Sequence, residues 1–203
     1  MEDMKELLDR ISNSGIEVPQ PVRKAMYDLH LDQFTTYDFG GFFHDRPVVF
    51  METDNGGVKT ISAPHMIVTL LHHLELKEGQ EVLVVGSKGG YIAALIATIL
   101  GENGKVMLID PSEEIVRHTA NALAGWPTVD LRHVESIEVS PIELPGQLSR
   151  ILITGSVQEI PQWMQQRITE GGFVLAPIGD KNHQELMKIE RQFGDLHPTS
   201  LGP

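Results

Sequence analysis

The chain of 203 residues contains no cysteine, which excludes disulfides and thiolate metal sites at the outset. It has no apolar run near the roughly 18–20 residues that a membrane-spanning helix requires. The opening Met1-Glu2-Asp3-Met4-Lys5-Glu6 lacks the basic-then-apolar order of a secretory signal. No membrane partner is expected, and the expected location is cytoplasmic. Positive charge is scarce: 16 Lys and Arg against 28 Asp and Glu leave a net charge of −12, and the basic residues are scattered rather than striped. Such a surface repels a phosphate backbone and argues against a nucleic-acid partner; its ordinary role is solubility. His72 and His73 stand side by side, so they point to different helix faces and form no metal-binding spacing. Neither G-x-G-x-x-G nor G-x-x-x-x-G-K-[ST] occurs, which moves nicotinamide dinucleotides and nucleoside triphosphates down the order of ligands.

What is present fits one globular domain. Apolar residues make up 41% and charged residues 22%, and the length is too short for two domains of ordinary size. Met4, Leu7, Leu8 and Ile11 repeat at helical spacing up to Gly15, and Val22, Ala25, Met26 and Leu29 mark a second helix after Pro19 and Pro21. Residues 34–58 read as irregular, with one short strand at Val48–Met51; loops of this length usually carry function. His65 to Leu74 reads as a buried helix. Strands and helices then alternate: Glu81–Val85, Tyr91–Leu100, Val106–Asp110, Ser112–Leu123, Val129–Val134, Arg150–Thr154, Gln162–Ile168 and Gly172–Pro177, with a final strand expected at Leu186–Phe193. This rhythm predicts an α/β fold with a mostly parallel, doubly wound sheet behind an N-terminal helical extension. Residues 1–60 form the helices and substrate-side loop of one compact unit, and residues 61–203 its core.

Two segments carry the chemistry. The strand Glu81–Val85 runs into Gly86-Ser87-Lys88-Gly89-Gly90-Tyr91, which opens a helix and presents backbone N–H groups to an anion. About twenty residues on, Asp110 ends the next strand, where a carboxylate can accept both hydroxyls of a ribose. Turn and acid together point to an adenosine-containing ligand, and S-adenosylmethionine fits better than the dinucleotides. Glu135 closes the third strand and either meets an adenine amino group or is a solvated loop carboxylate. The second segment, Thr60-Ile61-Ser62-Ala63-Pro64-His65-Met66, is a hydroxyl-bearing turn ahead of an apolar helix. Ser62 either orients an acceptor or caps that helix, and one residue can do both. His65 reads as packing at the helix start rather than as a base.

With these segments in hand, the chain resembles the protein L-isoaspartyl (D-aspartyl) O-methyltransferases over almost its whole length. The carriers are Gly15-Ile16, Asp45-Arg46-Pro47, Thr60 to Met66, Val82 to Gly86, Tyr91 to Ala94, Ile160-Pro161, Gly171-Gly172 and Pro177 to Gly179. The Thr60–His65 segment is specific to that family, whereas glycine turns are shared among methyltransferases. The resemblance implies a seven-stranded Rossmann-like sheet, S-adenosylmethionine as cofactor, and the free carboxylate of isoaspartyl-containing peptides or proteins as acceptor. It places Gly86, Ser87, Lys88, Gly90, Tyr91, Asp110 and Glu135 on the cofactor. It places Ser62 beside the acceptor carboxylate as the catalytic residue, with Thr60, Ile61, Ala63 and His65 shaping the same pocket. No metal is implied, and a monomer is expected.

The departures from the family pattern gather on the cofactor side. Val84 stands where a glutamate is usual, Lys88 where the middle glycine is, and Ser149 where an aspartate precedes the fourth strand. Val134-Glu135-Ser136 replaces Gly-Asp-Gly, Thr154-Gly155-Ser156 replaces a Thr-Ala-Ala type segment, and Lys59 replaces a common glutamine. Lys88 either crowds the methionine moiety or pairs with its carboxylate. The chain stops at Leu201-Gly202-Pro203, where the family usually enters its last strand, so part of the peptide site is expected to be trimmed or absent. Three readings follow: a protein-repair methyltransferase, a methyltransferase with a different peptide carboxylate as acceptor, and a non-catalytic relative that keeps a peptide groove.

Overall fold

The computed structural model describes residues 3–203, so Met1 and Glu2 of the expected N-terminal segment lie outside the described residues. Asp3 caps the first helix, α1 (Met4–Asn13), by accepting from the Glu6 N–H at 2.9 Å, and Leu7, Leu8 and Ile11 fall on its buried side. Helix α2 (Gln20–Asp28) starts with Pro21 in its first turn, where a missing N–H costs nothing. Strands β1 (Val48–Glu52) and β2 (Val58–Ile61) pair antiparallel, and α3 (Pro64–His73) follows. Next come β3 (Glu81–Val85), α4 (Tyr91–Leu100), β4 (Lys105–Asp110), α5 (Glu113–Ala122), β5 (Val129–His133), β6 (Leu148–Ile153), α6 (Gln162–Arg167), β7 (Ile168–Gly179), β8 (Gln184–Gln192) and β9 (Asp195–Ser200).

Strands β3 to β9 form one sheet in the order β5-β4-β3-β6-β7-β8-β9, parallel through β7 and antiparallel in the last two pairs. The central strands are apolar on both faces because both faces are covered. Val82, Val84, Val106, Leu108 and Leu152 pack with α1 to α4, whereas Leu83, Val85, Met107, Ile109, Ile151 and Ile153 pack with Trp163 and Met164 of α6. Helix α4 is apolar nearly all round and is buried accordingly. The stretch between β5 and β6 is held down by α6: Trp163 Nε1 donates to the Ile137 carbonyl at 2.8 Å, and Arg167 to those of Leu144 and Pro145.

The structure corrects the expected elements at three places. The irregular segment contains a 3-10 turn at Gly40–His44 and β1, which pairs with an unforeseen β2 that begins at the segment's end; a further 3-10 turn, Leu31–Gln33, precedes the segment. Strand β2 is mostly exposed, so it shows no apolar alternation to read. Leu186–Phe193 is not the final strand: β8 turns at Phe193-Gly194 into β9. Both turn residues have positive φ (53° and 81°), as a two-residue hairpin of the tightest type requires, but a phenylalanine in the place usually held by Asn hides the signal. Polar β9, with Pro198 in it, is an edge strand that resists pairing with other chains. Finally, the cap of α3 is Ala63 rather than Ser62, because the helix begins at Pro64 itself.

Candidate active site

The sheet reverses direction of growth between β3 and β6, and the crevice outside the carboxyl ends of these strands is the switch point where ligands bind in such folds. Gly86 leaves β3 there with φ 95°, and a Cβ on it would collide with Thr154 Oγ1. That hydroxyl donates to the carbonyls of Val85 and Gly86, locking the end of β3 to that of β6. The turn continues through Lys88, Gly89 and Gly90, all at positive φ. A Cβ on Gly89 would come within 2.9 Å of the Phe50 ring of β1, so glycine lets that strand lie against the turn. Among the described residues no side chain caps α4, whose N-terminus lies at the crevice.

Asp110 ties the turn to α5. It is 5% exposed, and its Oδ2 accepts from the N–H and hydroxyl of Ser87 at 2.8 and 3.0 Å while Oδ1 accepts from the Ser112 N–H at 2.8 Å. Thr119 donates to Ser87 Oγ from the far side. The Val134 N–H donates to the Asp110 carbonyl, so the residues after β5 sit beside it. There Glu135, with Arg132, His133, Val139 and Ile142, lines a cavity of about 580 Å³. Gly86, Ser87, Lys88 and Gly90 are thus together, with Asp110 beneath and Glu135 to one side. The ring of Tyr91 goes elsewhere. It packs edge-on between Phe34 and Phe42, fully buried, and burial pushes the phenol pKa up.

The acceptor segment meets the turn from the other side, with β2 packed on Lys88–Gly90. Thr60 pairs with Val49 and is half-buried, Ile61 and Ala63 are buried, and Ser62 is half-exposed. Among the described residues the Ser62 hydroxyl makes no hydrogen bond, so it does not cap α3. Asp45 does so from afar: its Oδ1 accepts from the His65 N–H at 2.9 Å, and both carboxylate oxygens lie 3.0 Å from His65 Nδ1. His65 is therefore held by a carboxylate rather than only packed. Asp45 itself sits at φ 58°. Sequence reasoning missed its role, although an aspartate can adopt the left-handed region and accept from a helix start.

This arrangement belongs to the Rossmann-like methyltransferases, a class defined by the sheet order and by a glycine turn at its switch point. Within that class the chain belongs to the protein-L-isoaspartate(D-aspartate) O-methyltransferase family, whose profile matches residues 2–200. The protein-L-isoaspartate O-methyltransferase of Methanothermobacter thermautotrophicus is 30% identical, over 96% of this chain and 88% of its own length. That of Methanococcus maripaludis is 32% identical, over 96% and 90%. Among solved structures, a protein-L-isoaspartate O-methyltransferase superposes with TM-score 0.85 at 22% identity. The match covers 98% of this chain, which spans 63% of that longer one. A Plasmodium falciparum protein assigned to the same activity and solved with S-adenosyl-L-homocysteine superposes with TM-score 0.83 at 22% identity, over 100% of this chain and 95% of its own. These two likenesses establish the fold.

Proposed function

We propose that the chain transfers the methyl group of S-adenosylmethionine to the free carboxylate of L-isoaspartyl residues in damaged peptides and proteins. Family membership over residues 2–200 supports the reaction class. The observation that carries the reading to this chain is the seating against the glycine turn of β2, which ends one residue before Ser62, whose hydroxyl has no partner among the described residues. The residues present fit the cofactor: among the described residues no side chain caps the N-terminus of α4 beside the glycine turn, and Glu135 lines a cavity beside Asp110. Gly86, Ser87, Lys88, Gly90 and the Tyr91 N–H would hold the amino-acid end, and Asp110 and Glu135 the nucleoside. Bound there, the cofactor supplies an electrophilic methyl group on a sulfonium.

A carboxylate acceptor is already ionised near neutral pH, so the protein needs no general base. Its tasks are alignment and exclusion of water. Ser62 donates a hydrogen bond to one oxygen of the acceptor carboxylate and turns the other toward the methyl group. Ile61 and Ala63 support that position from the core, Thr60 holds it in the hairpin, and Asp45 fixes His65 at its edge. An isoaspartyl linkage puts the α-carboxylate where a side chain would be, and the Thr60–His65 turn selects that geometry. We further propose a cytoplasmic monomer that binds no nucleic acid, in keeping with the −12 charge. Among the described residues no helix is long and apolar enough to cross a membrane.

The test is transfer of a labelled methyl group to an isoaspartyl peptide and to its aspartyl twin. Only the isoaspartyl peptide should be labelled, and Ser62→Ala should lower turnover about ten- to a hundredfold with little change in KM. Equal labelling of both peptides would remove the repair function. No labelling, with peptide binding retained, would establish a non-catalytic relative.

A further inference from the structure

Lys88 sits in the turn against every local preference. Its φ of 46° is a left-handed value that a side chain disfavours. Its side chain is half-buried, yet among the described residues its ammonium has neither an ion pair nor a hydrogen bond. β2 packs on the turn, and the charged groups near enough to act on Lys88 are exposed Lys59 of that strand and Asp110. Lys59 is a like charge, and Asp110, which accepts from Ser87 and Ser112, makes neither an ion pair nor a hydrogen bond with Lys88. Burial first and Lys59 second depress the Lys88 pKa, and Asp110 opposes them only in part. A strained, desolvated and unpaired cation lowers the stability of the chain that carries it. A ligand carboxylate between the two ammonium groups would relieve it with charge-assisted hydrogen bonds.

Resting on the proposed reaction, we propose that Lys88 and Lys59 form a carboxylate-binding pair where the acceptor strand meets the glycine turn. That reaction brings two carboxylates here: the amino-acid end of the methyl donor and the acceptor itself. Lys88 is then a positioning residue for one of them.

The experiment is calorimetry of S-adenosylhomocysteine and of 5′-methylthioadenosine, which lacks the amino-acid end, together with fluorescence anisotropy of a labelled isoaspartyl peptide on the protein saturated with S-adenosylhomocysteine. Lys88→Gly removes the side chain and the strain, so it should melt no lower than the wild type. If the pair holds the donor carboxylate, Lys88→Gly weakens S-adenosylhomocysteine about tenfold or more while methylthioadenosine binding stays put. If it holds the acceptor, S-adenosylhomocysteine is unaffected and the peptide weakens by a similar factor. In either case Lys88→Arg retains affinity, and Lys59→Gln gives a smaller loss in the same ligand. The proposal is overturned if Lys88→Gly binds S-adenosylhomocysteine as well as or better than the wild type and its peptide binding is unchanged or absent in both proteins. A wild type that transfers no methyl group but loses S-adenosylhomocysteine with Lys88→Gly would sink the functional reading and leave the lysine pair standing.

Discussion

Tyr91 shows how one residue type can mislead about its own role. Next to a glycine turn Tyr91 reads as a cofactor contact, but the structure buries its ring between Phe34 and Phe42 and leaves only its backbone to the turn, and its hydroxyl has no hydrogen-bond partner among the described residues. A buried, unsatisfied hydroxyl costs about 1–3 kcal/mol. Tyr91→Phe should therefore leave stability unchanged or raise it by about 1 kcal/mol, read as a shift of the urea midpoint at constant slope. A clear loss of stability would mean that the hydroxyl is bonded in solution. Ser62 shows the reverse: its Ser-x-Pro spacing offers a cap, and the structure leaves its hydroxyl unbonded because the helix begins one residue later than that spacing supposes.

At the scale of elements, the start of α3 depends on a residue twenty positions away. Asp45 accepts from the His65 N–H and holds the His65 ring, joining the 3-10 turn Gly40–His44 to the acceptor segment. Asp45→Ala should lose the cap and place alanine at φ 58°, a combined cost of about 1–3 kcal/mol. Asp45→Gly relieves the backbone and loses only the cap, so it should fall between alanine and the wild type in chemical denaturation. Equal losses in the two variants would show that strain plays no part. The β1–β2 and β8–β9 hairpins make the same point about legibility. Their outer strands are polar, so only the partner strand could reveal them.

At the scale of the whole molecule, charge sets a pH profile with two steps. Burial, then the neighbouring His72 and Lys188, hold the His73 pKa below its ordinary 6.5, with Glu75 opposing. The unfolded chain then binds a proton that the native one does not. The stabilisation is complete above 6.5 and is lost as pH falls through the native value. Asp9, bonded by Lys5 and Arg23, Asp130, bonded by Arg132, and Asp180, bonded by the N–H groups of Asn182 and His183, lie below the ordinary 3.8. Their contribution is present above 3.8 and is lost in more acid solution. Urea midpoints measured from pH 8 to pH 3 should fall in both ranges, and His73→Gln should flatten the first fall alone. A His73→Gln profile parallel to that of the wild type would show that some other group titrates near neutrality.

The parallel sheet, the apolar helices and the turn from Gly86 to Gly90 were determined by the sequence alone, because strand and helix periods and glycine positions are local properties of the chain. The acceptor segment was legible for the same reason: seven consecutive residues carry it. Tertiary structure decided that β2 lies on the glycine turn, that Asp45 caps α3, that Asp110 is tied to Ser87, and that Lys59 comes near enough to Lys88 to act on its charge. Each of these joins residues twenty or more positions apart, and such pairings depend on which faces the sheet brings together, a choice made by packing around the shared core.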